Sequence, residues 1–303
     1  MNNLSLFSEE KSAEVVLASF GEGTDPRSRH VLGALVRHLH EFVKEVELTN
    51  EEWEAAIGFL TETGRTCTDV RQEFILLSDV LGVSMLVETV NNRSLELATE
   101  STVLGPFHMV DSPVRERGDS IALDSKGRDC LVTGRVTSES GAPLANATVD
   151  VWQANADGFY DVQQPDVQPE GNLRGLFTTD ANGEFWFRSI VPRYYPIPVD
   201  GPVGRLLETT GRHPYRPAHV HFLVTAEGHR PLVTHLFVED CPYLGSDVVF
   251  GVKESLVREF AEVDDPAGAA ELGFDNPYHT VHFDLTLLSK PDGKGKTSPK
   301  GSA

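Results

Sequence analysis

From Ser120 onward the chain is a succession of short β-rich runs, and this pattern constrains the fold more than any other feature. The runs are C-L-V-T-G-R-V-T, A-T-V-D-V-W-Q-A, G-E-F-W-F-R-S-I, H-V-H-F-L-V-T, V-T-H-L-F-V and Y-H-T-V-H-F-D-L-T. Turn signals at Ser140-Gly141, Asp157-Gly158 and Asn182-Gly183 separate them. Successive strand residues point to opposite faces, so each run can turn one face to a core. Many such runs with turns between them predict an antiparallel sandwich or barrel. A helix from about Ser255 to Glu262 is expected to interrupt the series.

The first hundred residues carry a different period. Asp25-Pro26 reads as an N-cap followed by proline at the first helical position, opening a helix from about Arg27 to Val46. Its apolar positions Val31, Leu35, Leu39 and Phe42 recur every three or four residues. Thr49-Asn50-Glu51-Glu52 is a capping box ahead of Trp53, Ile57 and Leu60. A third stripe, Phe74, Leu77, Leu81, Met85 and Leu86, spans Asp69 to about Thr99 with a break expected near Gly82. Helices without a sheet among them suggest a bundle or interaction module. The chain is therefore divided into a helical domain over 1–100, a β domain over 101–290, and a Gly/Pro-rich polar tail over 291–303 expected to be disordered.

Charge excludes two classes of partner. With 46 acidic against 26 basic residues the net charge is −20, which repels phosphate backbones and anionic lipid surfaces and argues against nucleic-acid binding. No apolar run approaches the ~20 residues needed to span a bilayer, and the N-terminus lacks the pattern of a secretory signal; a cytoplasmic location is expected. Cys67, Cys130 and Cys241 have neither the number nor the spacing of a disulfide framework or zinc-thiolate site, and read as inert thiols.

The chemistry is concentrated in R-P-A-H-V-H-F-L-V, residues 216–224. His219 and His221 lie two apart on a strand, so both imidazoles face one side and can reach one metal ion. Arg216 adds a fixed positive charge nearby. Tyrosines in D-G-F-Y at 157–160 and in P-R-Y-Y-P at 192–196 supply phenolic oxygens. Phenolate with imidazole is a donor set suited to hard, oxidised iron: a metal's charge stabilises the phenolate despite its free pKa of ~10.

Taken together, these pieces resemble the intradiol ring-cleaving dioxygenases over residues from about 70 to 285. The resemblance is carried by T-V-L-G-P-F-H at 102–108, D-V-W-Q-A-N-A-D-G-F-Y at 150–160, N-L-R-G-L-F at 172–177 and G-R-H-P-Y-R-P-A-H-V-H-F at 211–222. Within the family, L-S-D-V-L-G-V-S at 77–84, Y-P-I-P-V-D-G-P-V-G at 195–204 and S-D-V-V-F-G-V-K at 246–253 are most similar to the members that cleave hydroxyquinol. The resemblance implies a mainly β fold, an antiparallel β-sandwich catalytic domain, with an N-terminal α-helical domain that dimerises, often around a phospholipid. It implies one non-haem Fe(III) per chain held by Tyr160, Tyr195, His219 and His221, with Tyr195 rather than Tyr194 the ligand because it precedes Pro196. It also implies that an aromatic diol or triol displaces hydroxide and Tyr195, which take up its protons, and that Arg216 stabilises the carbanion-like ring as it meets O2. The ring pocket is expected from Leu76, Asp79, Val103, Leu104, Gly105, Pro106, Phe107 and Val249. Asp79 would sit unpaired beside plain catechol but gains a partner in a third hydroxyl.

Plainer readings cover the remaining candidates. His235 reads as a satisfied strand histidine, with a place behind the metal ligands as its alternative; His279 and His282 read as structural, and His30, His38 and His40 as lying on a solvated helix. Trp152, Phe185 and Trp186 are assigned to the core, and Arg174 is a candidate brace for the loop carrying Tyr160. Catechol or chlorocatechol cleavage is the nearest rival activity. A cupin-type oxygenase needs a glutamate four or five residues after its H-x-H, whereas Glu227 lies six beyond His221. A non-enzymatic β-sandwich carrier is the most remote rival.

Overall fold

The computed structural model describes residues 6–68, 71–92, 97–124 and 126–290; the expected tail at 291–303 lies outside them. The chain divides into two compact units, one ending at Glu62 and one beginning at Thr63.

The first unit contains α1 (Ser12–Ala18), α2 (Pro26–Glu45) and most of α3 (Asn50–Thr66). The expected caps are formed. Asp25 accepts a hydrogen bond from the Ser28 amide at 2.8 Å, and Pro26 opens α2. Ahead of α3, Glu52 accepts from the Thr49 amide at 2.9 Å while Thr49 Oγ1 accepts from the Glu52 amide at 3.3 Å. Helix α1 is too short for a periodic signal and was not expected. The apolar stripes remain open to solvent within the chain: Leu35, Leu39 and Phe42 are 50–52% exposed and Trp53 55%.

In the second unit, α4 (Glu73–Val80) and α5 (Val83–Asn91) replace the single third helix, broken where Gly82 adopts φ 72°. Glycine supplies that left-handed turn at no steric cost. There follow β1 (Asp129–Ser138), β2 (Thr148–Gln153), β3 (Arg174–Thr178), β4 (Glu184–Ile190), β5 (Tyr195–Pro196), α6 (Pro202–Thr209), β6 (Tyr215–Arg216), β7 (His219–Thr225) and β8 (Leu232–Val238). The series closes with β9 (Val257–Arg258), β10 (Ala261–Val263), α7 (Pro266–Leu272), β11 (Tyr278–His282) and β12 (Leu285–Leu287). One five-stranded sheet runs β10-β11-β1-β12, with β4 also on β1; the other runs β3-β2-β7-β8-β9; β5 and β6 form a separate ribbon.

Three expectations need correction. The sheets are mixed rather than antiparallel, because β1 pairs in parallel with β11 and β12, and β8 with β9. Turn signals report only on strands joined by hairpins, which must be antiparallel; strands returning from far along the chain carry no such constraint. The helix expected over 255–262 is a single 3₁₀ turn, Glu254–Leu256, followed by β9 and β10, since pairing with β8 and β11 overrides a weak local period. Trp186 is not core. It alternates with Phe185 and Phe187, so it faces the other way, half-buried near Gly118.

Side chains of both large sheets share one buried cluster. Val132, Phe185 and Phe187 of the first meet Val149, Phe177 and Phe222 of the second, with Phe177 stacked on Phe187 at 5.1 Å. On β7 the cluster takes Val220, Phe222 and Val224. The intervening His219 and His221 therefore face away from it.

Candidate metal centre and substrate cleft

Strand register brings the candidate donors together. On β7, His221 lies opposite His235 of β8 on one side and Trp152 of β2 on the other. The Trp152 ring stacks on His221 at 4.6 Å, so Trp152 forms the floor of this site rather than part of the inter-sheet core. In the small ribbon Tyr195 pairs with Arg216, three residues before His219.

Tyr160 arrives on a rigid turn. Asn155 Oδ1 accepts from the amides of Asp157 and Phe159 at 3.0 Å each, and the Tyr160 amide donates to Gln163 at 2.9 Å. Gly158 at φ 88° completes the turn, and a Cβ there would lie 3.0 Å from the Tyr194 carbonyl oxygen. Arg174 does brace this loop: it donates through Nε to Asp161 at 2.8 Å and through a terminal nitrogen to the Phe107 carbonyl at 2.7 Å. Phe107 in turn stacks on Tyr160 at 4.5 Å.

The Tyr160 oxygen lies 3.1 Å from that of Tyr195 and 2.9 Å from His221 Nε2, and the Nε2 atoms of His219 and His221 are 3.0 Å apart. All four residues are buried. Tyr194 is elsewhere, in an aromatic group with Tyr215 and Tyr243.

These donors fit a metal ion. His219 Nδ1 is 2.6 Å from the Pro217 carbonyl oxygen, which can only accept, so the proton sits on Nδ1 and a lone pair on Nε2 faces the cluster. Burial holds His219 and His221 well below the usual imidazole range, reinforced by Arg216 and, for His221, first by His235. Both are therefore neutral, the form that ligates. Burial, with Tyr195 beside it, pushes the Tyr160 phenol well above 10; a cation among these atoms would reverse that preference. Imidazole nitrogen with phenolate oxygen is a donor set for a hard transition metal.

A cleft opens beside the cluster, lined by the expected Leu76, Asp79, Val103, Gly105, Pro106, Phe107, Arg216 and Val249, and also by Tyr195, Ile197 and Pro198. Leu104 is the exception. It is 40% exposed and lines a separate hollow with Thr102 and Pro231, because consecutive residues of an extended segment point apart. Gly105 has φ 78°, and a Cβ there would lie 3.0 Å from His221 Cε1. Burial raises the Asp79 carboxyl pKa above its ordinary value, opposed by the Ser84 hydroxyl and the charge of Arg216. Arg216 pairs with buried Asp247 at 3.4 Å, and its second terminal nitrogen is buried without a hydrogen-bond partner.

Asp247 was not foreseen. It also accepts from the amides of Val249 and Gly251 at 3.2 and 2.9 Å, a local Asp loop that S-D-V-V-F-G could have suggested. Arg212 had no legible signal. Its two terminal nitrogens donate to the carbonyls of Val80 and Val248 at 2.6 and 2.7 Å, joining the chain neighbours of Asp79 and Val249. His235 lies behind His221, the alternative position named for it. His279, near Arg128 at 3.2 Å, and His282, on the outside near Asp284, take no part in the site.

The chain belongs to the intradiol dioxygenases. Residues 108–287 match the family model described as Dioxygenase, and residues 25–99 the one described as Catechol dioxygenase N terminus. It is 57% identical over 282 residues to the hydroxyquinol 1,2-dioxygenase of Rhizobium sp. (strain MTP-10005), covering 93% of this chain and 96% of that one. It is 49% identical to the hydroxyquinol 1,2-dioxygenase of Nocardioides simplex, covering 92% and 95% of the two chains. The crystal structure of hydroxyquinol 1,2-dioxygenase from Pseudomonas putida DLL-E4 superposes with a TM-score of 0.87 at 47% identity, covering 93% of this chain and 99% of that one.

Proposed function

We propose that this enzyme is a hydroxyquinol 1,2-dioxygenase that cleaves benzene-1,2,4-triol between its adjacent hydroxyl-bearing carbons. Both atoms of O2 enter the product, 3-hydroxy-cis,cis-muconate, which tautomerises to maleylacetate. The observation that carries the reading is the convergence of the Tyr160, Tyr195, His219 and His221 donor atoms, each within about 3 Å of another, beside a cleft containing a buried carboxyl. The two large sheets with their shared core are read as a β-sandwich catalytic domain over about 101–290, and residues 1–100 as the helical dimerisation region. No helix among the described residues is long and apolar enough to cross a membrane, which is compatible with the cytoplasmic location inferred from sequence.

Tyr160, Tyr195, His219 and His221 would hold one Fe(III) per chain. Bound there, the ferric ion would supply the Lewis acidity that makes an aromatic diol more acidic and its ring reactive toward O2. The protein supplies the rest. Tyr195, which would be a phenolate with the metal bound, takes up a proton from one of the adjacent hydroxyls and becomes a neutral phenol. Arg216, charged and with one terminal nitrogen free of internal partners, stabilises negative charge on the ring. Val103, Pro106, Phe107 and Ile197 exclude water and hold the ring flat. Asp79 accepts a hydrogen bond from the third hydroxyl, an interaction worth roughly 1.5–3 kcal/mol.

The decisive comparison is kcat/KM for hydroxyquinol and catechol on purified, iron-replete protein. Hydroxyquinol should be favoured by ten- to a hundred-fold; equal values, or a preference for catechol, would make the catechol-cleaving alternative the better reading.

A further inference from the structure

His235 is as buried as the four donors yet stands outside their cluster. One ring nitrogen from each of His219, His221 and His235 lies within 4.8 Å of the other two, close enough for the three to be counted as a metal-binding trio. The hydrogen bonds oppose that count. His235 Nε2 is 2.8 Å from His221 Nδ1, and His235 Nδ1 is 3.0 Å from Thr102 Oγ1, so both ring nitrogens are already engaged.

A neutral imidazole has one proton for two nitrogens. His221 can offer the Nε2 lone pair that faces Tyr160 only if its proton is on Nδ1, where His235 Nε2 is the acceptor. That arrangement puts the proton of His235 on Nδ1, directed at Thr102 Oγ1. Thr102 is itself fixed: it is buried, and its amide donates to the Val233 carbonyl at 2.9 Å. One choice, Nε2 of His221 toward the metal, thus sets two tautomers. His219 solves the same problem with the Pro217 carbonyl, a backbone acceptor that no substitution removes.

We infer that His235 and Thr102 are positioning residues that hold the ring and tautomer of His221 for metal ligation. The inference rests on the iron reading above. Partners of this kind typically change metal affinity by about 10–100-fold when removed.

The test compares His235→Leu, His235→Gln, Thr102→Val and Thr102→Ser by two readouts: the rate of iron loss to excess EDTA, and the position of the visible charge-transfer band expected of phenolate bound to Fe(III). Gln keeps an acceptor at one end and a donor at the other; Ser keeps the hydroxyl. His235→Leu and Thr102→Val should lose iron about 10–100-fold faster than wild type and shift the band. His235→Gln and Thr102→Ser should stay within a few-fold of wild type. Thr102→Val is nearly isosteric and two hydrogen bonds from the donors, so it decides the matter if His235→Leu fails to fold. Iron loss at the wild-type rate in both Leu and Val variants would overturn the inference while leaving the iron reading intact. Loss of all iron in His235→Gln, matching His219→Ala, would overturn it in favour of His235 as a ligand. An iron-free wild-type protein would overturn both.

Discussion

Tyr160 and Tyr195 bring their phenolic oxygens within 3.1 Å of each other from two separate segments, one on a turn after β2 and the other in a two-residue strand. Two buried phenols so close cannot both ionise without a cation. Their deprotonation should therefore report metal binding: the iron-loaded protein should show a broad visible charge-transfer band. Tyr160→Phe and Tyr195→Phe should each alter that band, whereas Tyr194→Phe should leave it nearly intact. Bleaching by Tyr194→Phe with no effect of Tyr195→Phe would reverse the assignment of the ligand.

Asp79 gives a prediction with a pH sign. Burial raises its pKa above the ordinary 3.8, so the carboxyl is neutral at low pH and becomes the better acceptor as pH rises through the raised value. The ratio of kcat/KM for hydroxyquinol over catechol should climb with pH across that interval in wild type. In Asp79→Asn it should be flat, and in Asp79→Ala lower by about ten- to a hundred-fold. Stability runs the opposite way with pH. The folded form disfavours ionisation, so stability present at low pH is lost as the group ionises, and Asp79→Asn should unfold no more easily than wild type at pH 7.

Arg212 ties both walls of the cleft through the Val80 and Val248 carbonyls while its guanidinium stacks over Phe250 at 4.9 Å. Removing the two charge-assisted bonds in Arg212→Met should loosen the walls but not the donors. KM for the triol should rise roughly tenfold, a loss of about 1.4 kcal/mol, with the visible band unchanged. A shifted band would mean that Arg212 supports the metal centre instead.

The helical stripes predict association. Leu35, Leu39 and Phe42 on α2 are about half exposed within the chain, as is Phe74 on α4, and Leu86 on α5 is 63% exposed. Exposed apolar stripes of this kind mark an interaction face, so a homodimer is expected, with phospholipid a candidate ligand of the helical stripes. Sedimentation at micromolar protein should give a dimer, and organic extraction of the purified protein should yield lipid if the second part holds. A monomer at that concentration would refute the first.

Periodicity, caps and motifs made much of this protein legible from sequence. The Asp25 and Thr49 caps and the break at Gly82 depend on interactions within a few residues, and the alternation that puts His219 and His221 on one face is written in the local chain, so a short window suffices to read them. The quoted motifs also selected Tyr160, Tyr195, Arg216 and most of the cleft residues, which the structure brings together. What the tertiary structure decided was everything set by pairing between distant segments. The parallel neighbours of β1, the strands where a helix was expected near 257–263, and the outward face of Trp186 follow from strand registers that no local window contains. Arg212, Asp247 and the His221–His235–Thr102 chain belong to the same class. A hydrogen bond across 14 or 133 residues is specified by the register of a sheet and the course of a loop, and a lone His or Thr in a sequence carries no mark of the partner that folding will bring to it.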